Sequence, residues 1–233
     1  MKKSVLEACM TLLMFVALYS MVRFTVGEVA AGNTVSELIA IDCGHGGVDA
    51  GKVAADGLLE KDVNLDIGMK LKALLESAGY DTIITRDGDY GLYDDSDSNK
   101  KSVDMRKRCE LINESGAVLV VSIHQNSYTD TGVHGAQMFY YQNSSDGKVL
   151  AETLTKAFGE VIGSDVLRPA KSNDNYYMLR NTDCPGVIAE CGFLSNPTEA
   201  GLLGTDGYRS KVAKAIFVGI DKYCRTNEAD RET

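Results

Sequence analysis

Short apolar runs alternate along the chain with longer amphipathic stretches. Residues 38–41, Leu-Ile-Ala-Ile, end at Asp42 and a glycine-rich turn, as expected of a buried strand that delivers a loop. From Lys61 the apolar positions Val63, Ile67, Leu71, Leu74 and Ala78 recur at helical spacing, and Gly79 follows. That pattern predicts a helix with a glycine stop. Residues 81–85 read as a second strand, and 86–102, rich in Asp, Ser, Asn and Gly, as an exposed loop. Met105, Cys109 and Ile112 mark one face of a second helix stopped at Gly116, after which 117–123 form a strongly apolar strand ending at His124. A strand over 135–141, a helix over 147–162, a short buried strand over 186–189 ending at Glu190, and a helix over 208–224 complete the series. Strands alternating with helices in this way predict a single α/β domain. Its sheet should be mostly parallel or mixed and twisted, with helices on both faces and functional residues at strand C-terminal ends. The domain is expected over 38–224, with a polar, frayed tail over 226–233.

The N-terminal stretch breaks this rhythm. Residues 8–22 are apolar all round and follow Lys2 and Lys3, but at fifteen residues the run is shorter than the roughly 20 a spanning helix needs. With small residues at Val29-Ala30-Ala31, residues 1–31 read as a signal peptide cut after Ala31 or as an uncleaved N-terminal membrane anchor. Either reading puts the body outside the cytoplasm, secreted or anchored, with membrane contact only through that segment. Composition adds two constraints. With 44% hydrophobic and 24% charged residues and only 3 Pro, the chain can bury a core and is not a disordered one. Its 24 Lys+Arg against 33 Asp+Glu exclude a phosphate-tracking nucleic-acid binder, which needs a basic face. Apart from Cys9, the cysteines are Cys43, Cys109, Cys184, Cys191 and Cys224, with no CxxC. Buried free thiols are expected of them rather than a disulfide framework.

Only His45, His124 and His134 offer imidazole. His45 follows the first strand, Glu60 precedes the first helix, and His124 and Glu190 end strands. Two imidazoles and a carboxylate suit Zn²⁺ with a position left open for water, and a further carboxylate nearby can act as general base. The spacing of 15 and then 64 residues lacks the specificity of a local helical zinc motif. Plainer roles exist for each: Glu60 as a carboxylate favoured by a helix N-terminus, Glu190 in a structural ion pair. His134 is read as structural.

The strings Ile41-Asp42-Cys43-Gly44-His45-Gly46-Gly47, Leu59-Glu60-Lys61-Asp62-Val63-Asn64-Leu65, Thr85-Arg86, Ser122-Ile123-His124-Gln125-Asn126 and Glu190-Cys191-Gly192-Phe193-Leu194-Ser195-Asn196 occur in order. In combination they are highly specific, and over residues 38–223 the chain resembles the zinc-dependent N-acetylmuramoyl-L-alanine amidases of the amidase 3 family. The resemblance implies one Zn²⁺ per chain on His45, Glu60 and His124. It also implies that Glu190 is the acid/base acting on the amide between the lactyl group of N-acetylmuramic acid and L-alanine. Asn126 and Arg180 are expected substrate contacts, although Asn126 could equally orient His124 or stabilise a turn. Arg86 and Arg108 are assigned to support or substrate contact, and Gly44, Gly46 and Gly47 to a tight turn with room beside His45. Family members often carry Pro where Ala50 stands and Ala where Gln125 stands, and neither change touches a ligand. A minimal catalytic domain behind an export segment is most similar to the germination-specific type that acts on spore cortex towards the muramic δ-lactam. A vegetative wall-turnover or cell-separation amidase, a zinc peptidase on stem peptides, and a non-catalytic wall-binding protein are the alternatives. The partners expected are peptidoglycan and an accessory protein for recruitment or metal loading.

Overall fold

The computed structural model describes residues 36–163 and 167–231. The segment 1–31, read above as a signal or anchor, lies outside them, as does Cys9. In chain order the elements are β1 (Leu38–Cys43), α1 (Glu60–Ser77), β2 (Asp81–Ile84), α2 (Lys100–Ser115), β3 (Leu119–Asn126) and β4 (Gln137–Tyr140). They continue with α3 (Ser145–Val161), β5 (Lys171–Ser172), α4 (Tyr177–Asn181), β6 (Gly186–Phe193), α5 (Pro197–Leu203) and α6 (Asp206–Arg231).

The strands make one sheet in the order β2-β1-β3-β6-β4-β5. The first four run parallel, β4 lies antiparallel to β6, and β5 runs parallel to β4. The sheet is therefore mixed, as the alternation allowed. Side chains alternate across a strand, and here both faces are covered. Ile39, Ile41 and Cys43 of β1, Leu119, Val121 and Ile123 of β3, and Val187 and Ala189 of β6 join a core with Val63, Ile67, Leu71 and Leu75 of α1 and with α3 and α6. The intervening Ala40, Val120 and Ile188 instead meet Cys109 and Ile112 of α2 and Met178 and Leu179 of α4. Gly219 allows α6 to lie against α3, because a Cβ there would stand 2.6 Å from the Leu154 side chain. Among the described residues no helix is long and apolar enough to cross a membrane.

Several boundaries differ from those read in the sequence. The strand carrying His124 runs on to Asn126, and that carrying Glu190 to Phe193, because the two pair with each other past a bulge between His124 and Asn126. Helix α2 starts at Lys100 rather than after Ser102, since the Asn99 side chain accepts from the Ser102 amide and caps it. Arg86, expected in an exposed loop, is 1% exposed, because its guanidinium is spent on buried carbonyls. The helix closing the fold runs to Arg231, past the expected end at Cys224, for no Gly or Pro follows Gly219. Strand β5 and helix α4, two and five residues long, are too short to show periodicity and were not expected. The five cysteines among the described residues are unbridged, and all but the half-buried Cys184 are buried.

Candidate active site

The site sits at the C-terminal ends of β1, β3 and β6 and begins with a restrained loop. His45 follows β1 with φ of 64°, a left-handed conformation that costs a non-glycine residue roughly 1–3 kcal/mol and persists only when its surroundings impose it. Two buried arginines do so. Arg86 donates from Nε to the Cys43 carbonyl (2.8 Å) and from Nη2 to that of Gly44 (3.0 Å). Arg108 donates from Nη1 to the Cys43 carbonyl and from Nη2 to that of His45, both at 2.7 Å. Arg108 is in turn held by Asp42 and Asp104, each at 2.8 Å. Asp42 also accepts from the Thr85 and Ser122 hydroxyls. Burial raises the Asp42 carboxyl, but the Arg108 guanidinium and the Ser122 hydroxyl outweigh it and hold the carboxyl below its ordinary value. The support expected of Arg86 and Arg108 is thus a clamp on the backbone that carries His45.

Three side chains from separate elements meet beyond this loop. His45 Nε2 lies 3.1 Å from Glu60 Oε1, and His124 Nδ1 lies 3.0 Å from the same oxygen. One donor atom from each of His45, Glu60 and His124 falls within 4.8 Å of the others, a group that could hold a metal ion. Glu60 opens α1 and is fixed by two backbone amides, Lys52 N at 2.7 Å on Oε2 and Gln125 N at 3.0 Å on Oε1. The two histidines hold its carboxyl well below the usual range against the opposing effect of burial. Asp49 Oδ2 lies 3.0 Å from His45 Nδ1, so a carboxylate orients the imidazole from behind and leaves Nε2 free to coordinate. Gly44 serves this packing rather than a turn, for its φ is not positive and a Cβ there would stand 2.3 Å from the His124 ring. Gly46 and Gly47 do adopt positive φ, in keeping with the expected tight turn.

Glu190 lies directly opposite His124 in the β3–β6 register and is 7% exposed. Its Oε1 accepts from the Tyr176 hydroxyl at 3.2 Å, and Oε2 has no partner among the described residues. Burial, helped by the charge of Glu60, pushes its pKa up, and His124 and the Tyr176 hydroxyl oppose the shift. A cavity of about 170 Å³ opens beside these groups, lined by His45, His124, Tyr176, Met105 and Met178 among others. The four residues read as a site are therefore together. Asn126 accepts on its carboxamide oxygen from the Ser127 amide at 2.8 Å. Arg180 is exposed on the last turn of α4 and does not line the cavity. His134 is exposed and bonds the Gly132 carbonyl within its own turn. Asp49 and Tyr176 were missed. Asp49 stands four residues after His45, a weak signal, whereas Tyr176 lies in an irregular segment with no periodic cue.

Residues 39–222 match the model of the family described as N-acetylmuramoyl-L-alanine amidase. The chain belongs to this family. As such an amidase it acts on peptidoglycan, at the bond between the N-acetylmuramoyl group and L-alanine. Among its relatives, the germination-specific N-acetylmuramoyl-L-alanine amidase of Bacillus subtilis is 38% identical over 190 residues, spanning 80% of this chain and 79% of that one. The CwlD amidase of Clostridioides difficile, solved in complex with the GerS lipoprotein, superimposes with a TM-score of 0.80 at 37% identity. That match covers 82% of this chain and all of that one. The amidase AmiC2 of Nostoc punctiforme gives 0.72 at 32% identity, covering 81% and 97%. The amidase thus shares its architecture with enzymes of one activity.

Proposed function

We propose that this amidase is a zinc hydrolase working outside the cytoplasm, in the maturation of spore cortex peptidoglycan towards the muramic δ-lactam. The observation that carries the metal assignment is the convergence of two imidazole nitrogens and one carboxylate oxygen within 4.8 Å, with Glu190 opposite His124 in the sheet. This donor set fits Zn²⁺, which takes nitrogen and oxygen ligands tetrahedrally and keeps a fourth position for catalysis. One ion per chain would be held by His45 Nε2, Glu60 and His124 Nδ1, with Asp49 orienting His45. When bound, Zn²⁺ supplies Lewis acidity that polarises the amide carbonyl and makes water nucleophilic near neutral pH.

The chain's own part in the reaction is proton transfer. Glu190 stands outside the three-ligand group and within the site, as a general base must. It accepts a proton from the attacking water as oxygen adds to the lactyl carbonyl carbon, then returns that proton to the nitrogen as the C–N bond breaks. The products are a lactyl carboxylate and a stem peptide with a free L-alanine amine. Burial pushes its pKa above the ordinary carboxylate value, which favours uptake of the proton. Asn126, at the end of β3, and exposed Arg180 on α4 are the proposed substrate contacts. The spore role is supported by the similarity to the germination-specific and CwlD amidases, over that of a vegetative wall enzyme. Since the CwlD structure contains a lipoprotein, an accessory protein is proposed for this amidase as well, with export through residues 1–31.

Mass spectrometry of peptidoglycan fragments, after incubation with and without zinc, tests the chemistry. Free lactyl acids and new L-alanine N-termini that appear only with zinc are the expected outcome. A cut inside the stem would identify a peptidase, and binding with no cleavage would identify a wall-binding protein. Deleting the gene should leave spores whose cortex lacks δ-lactam, whereas a vegetative separation enzyme would leave chained cells.

A further inference from the structure

A buried carboxylate oxygen without a donor is costly, and Glu190 carries one. Its surroundings explain which oxygen is left. In the sheet it is flanked by His124 on β3 and Gln137 on β4. Gln137 gives its amide Nε2 to the Pro169 carbonyl at 3.0 Å. The hydroxyl of Tyr176 reaches Oε1 at 3.2 Å, and Oε2 has no partner among the described residues. Tyr176 is not a free loop residue. Its ring sits 5.4 Å from that of Phe139, and it immediately precedes α4, whose Met178 and Leu179 are buried in the core beneath α2. Tyr176 also lines the same cavity as His45 and His124. One donor is therefore aimed at one oxygen of the carboxylate, from a side chain that lines the cavity beside His45 and His124.

We infer that Tyr176 is a positioning residue for the hydrolysis: its hydroxyl holds Oε1 and fixes the rotation of the Glu190 carboxylate. The inference rests on the role proposed for Glu190 above. A carboxylate free to rotate would divide its time between productive and unproductive directions. Since misplacement of a reacting group lowers the rate without changing ground-state binding, the loss should fall on kcat and leave KM alone.

The test uses the full chain loaded with zinc and a defined muropeptide, comparing wild type, Tyr176→Phe, Glu190→Asp and the double variant. Zinc content and thermal midpoint are measured alongside. Tyr176→Phe is expected to lower kcat about tenfold with KM unchanged, while zinc stays near one per chain and the midpoint does not move. Glu190→Asp draws the carboxylate away from the hydroxyl, so adding Tyr176→Phe should then cost less than it does in wild type. An unchanged kcat in Tyr176→Phe, a loss confined to KM, or losses that simply multiply in the double variant would each overturn the inference. So would a fall in zinc content or midpoint that tracks the activity, which would mark the tyrosine as structural. Glu190→Gln separates the two levels: full activity in that variant removes the base from the proposed function, and the positioning role with it. An inactive Glu190→Gln beside a normal Tyr176→Phe removes the positioning role alone.

Discussion

On β1, β3 and β6 adjacent residues face opposite sides of the sheet and meet opposite conditions. Ile41, Ile123 and Ala189 enter a dry layer beneath α1, α3 and α6. Asp42, His124 and Glu190, each the next residue, turn to the side of α2 and α4, where Asp42 meets Arg108 and Glu190 meets Tyr176. The first side is lined mainly by apolar partners and helix surface. The second holds a buried network of Asp42, Thr85, Ser122, Asp104 and Arg108 and opens into the cavity. Charge is tolerated where donors are already in place to receive it. A strand buried on both faces can therefore build stability with one set of residues and a reaction with the other.

The largest expected break in this comparison is Glu190→Gln, which should lower turnover by about 10²–10⁴-fold at unchanged zinc content, read by muropeptide release. Its unfolding midpoint should stay level or rise. A carboxyl whose folded pKa is raised destabilises the fold progressively as pH rises above the ordinary carboxylate value, fully so above the raised one, and the amide removes this burden.

Next, Arg108→Met should cost about 3–5 kcal/mol in denaturant unfolding, because Asp42 is left buried without its guanidinium. The same pair sets an acid dependence. The Asp42 pKa is lowered on folding, so its contribution is complete above the ordinary aspartate range near pH 4 and is lost as pH falls through the lowered value. Wild type should lose stability over that interval, and Arg108→Met should lose less. On the dry side, Leu71→Ala should cost about 2–5 kcal/mol while kcat per folded molecule stays near wild type. A collapse of kcat there would show that the two sides are not separable. Asp49→Asn should weaken zinc binding about 10–100-fold in competition with a chelator, with the metal-free midpoint unmoved. The smallest effect belongs to His134→Ala, within about 0.5 kcal/mol of wild type in the same unfolding assay.

Much of this was legible in the chain. The helical spacing of Val63, Ile67 and Leu71 and the apolar runs before Asp42 and His124 state local geometry, because such periodicity is set by neighbours within one segment. The bounds of β3 and β6 were not legible, since pairing with each other, rather than composition, carries them past His124 and Glu190. Strand β4 was foreseen, but not that it runs antiparallel to β6.

By itself the sequence determined an α/β chain, the positions of two imidazoles and two carboxylates beside strands, and a donor set suited to zinc. Only the tertiary structure decided that His45, Glu60 and His124 fall within 4.8 Å of one another, that Asp49 backs His45, and that Tyr176 takes one oxygen of Glu190. For the three-ligand group the reason is that its contacts join elements far apart in the chain, Glu60 and His124 being 64 residues apart. No local pattern records where a crossover will return. That is fixed by which faces pack, and packing depends on the whole chain at once.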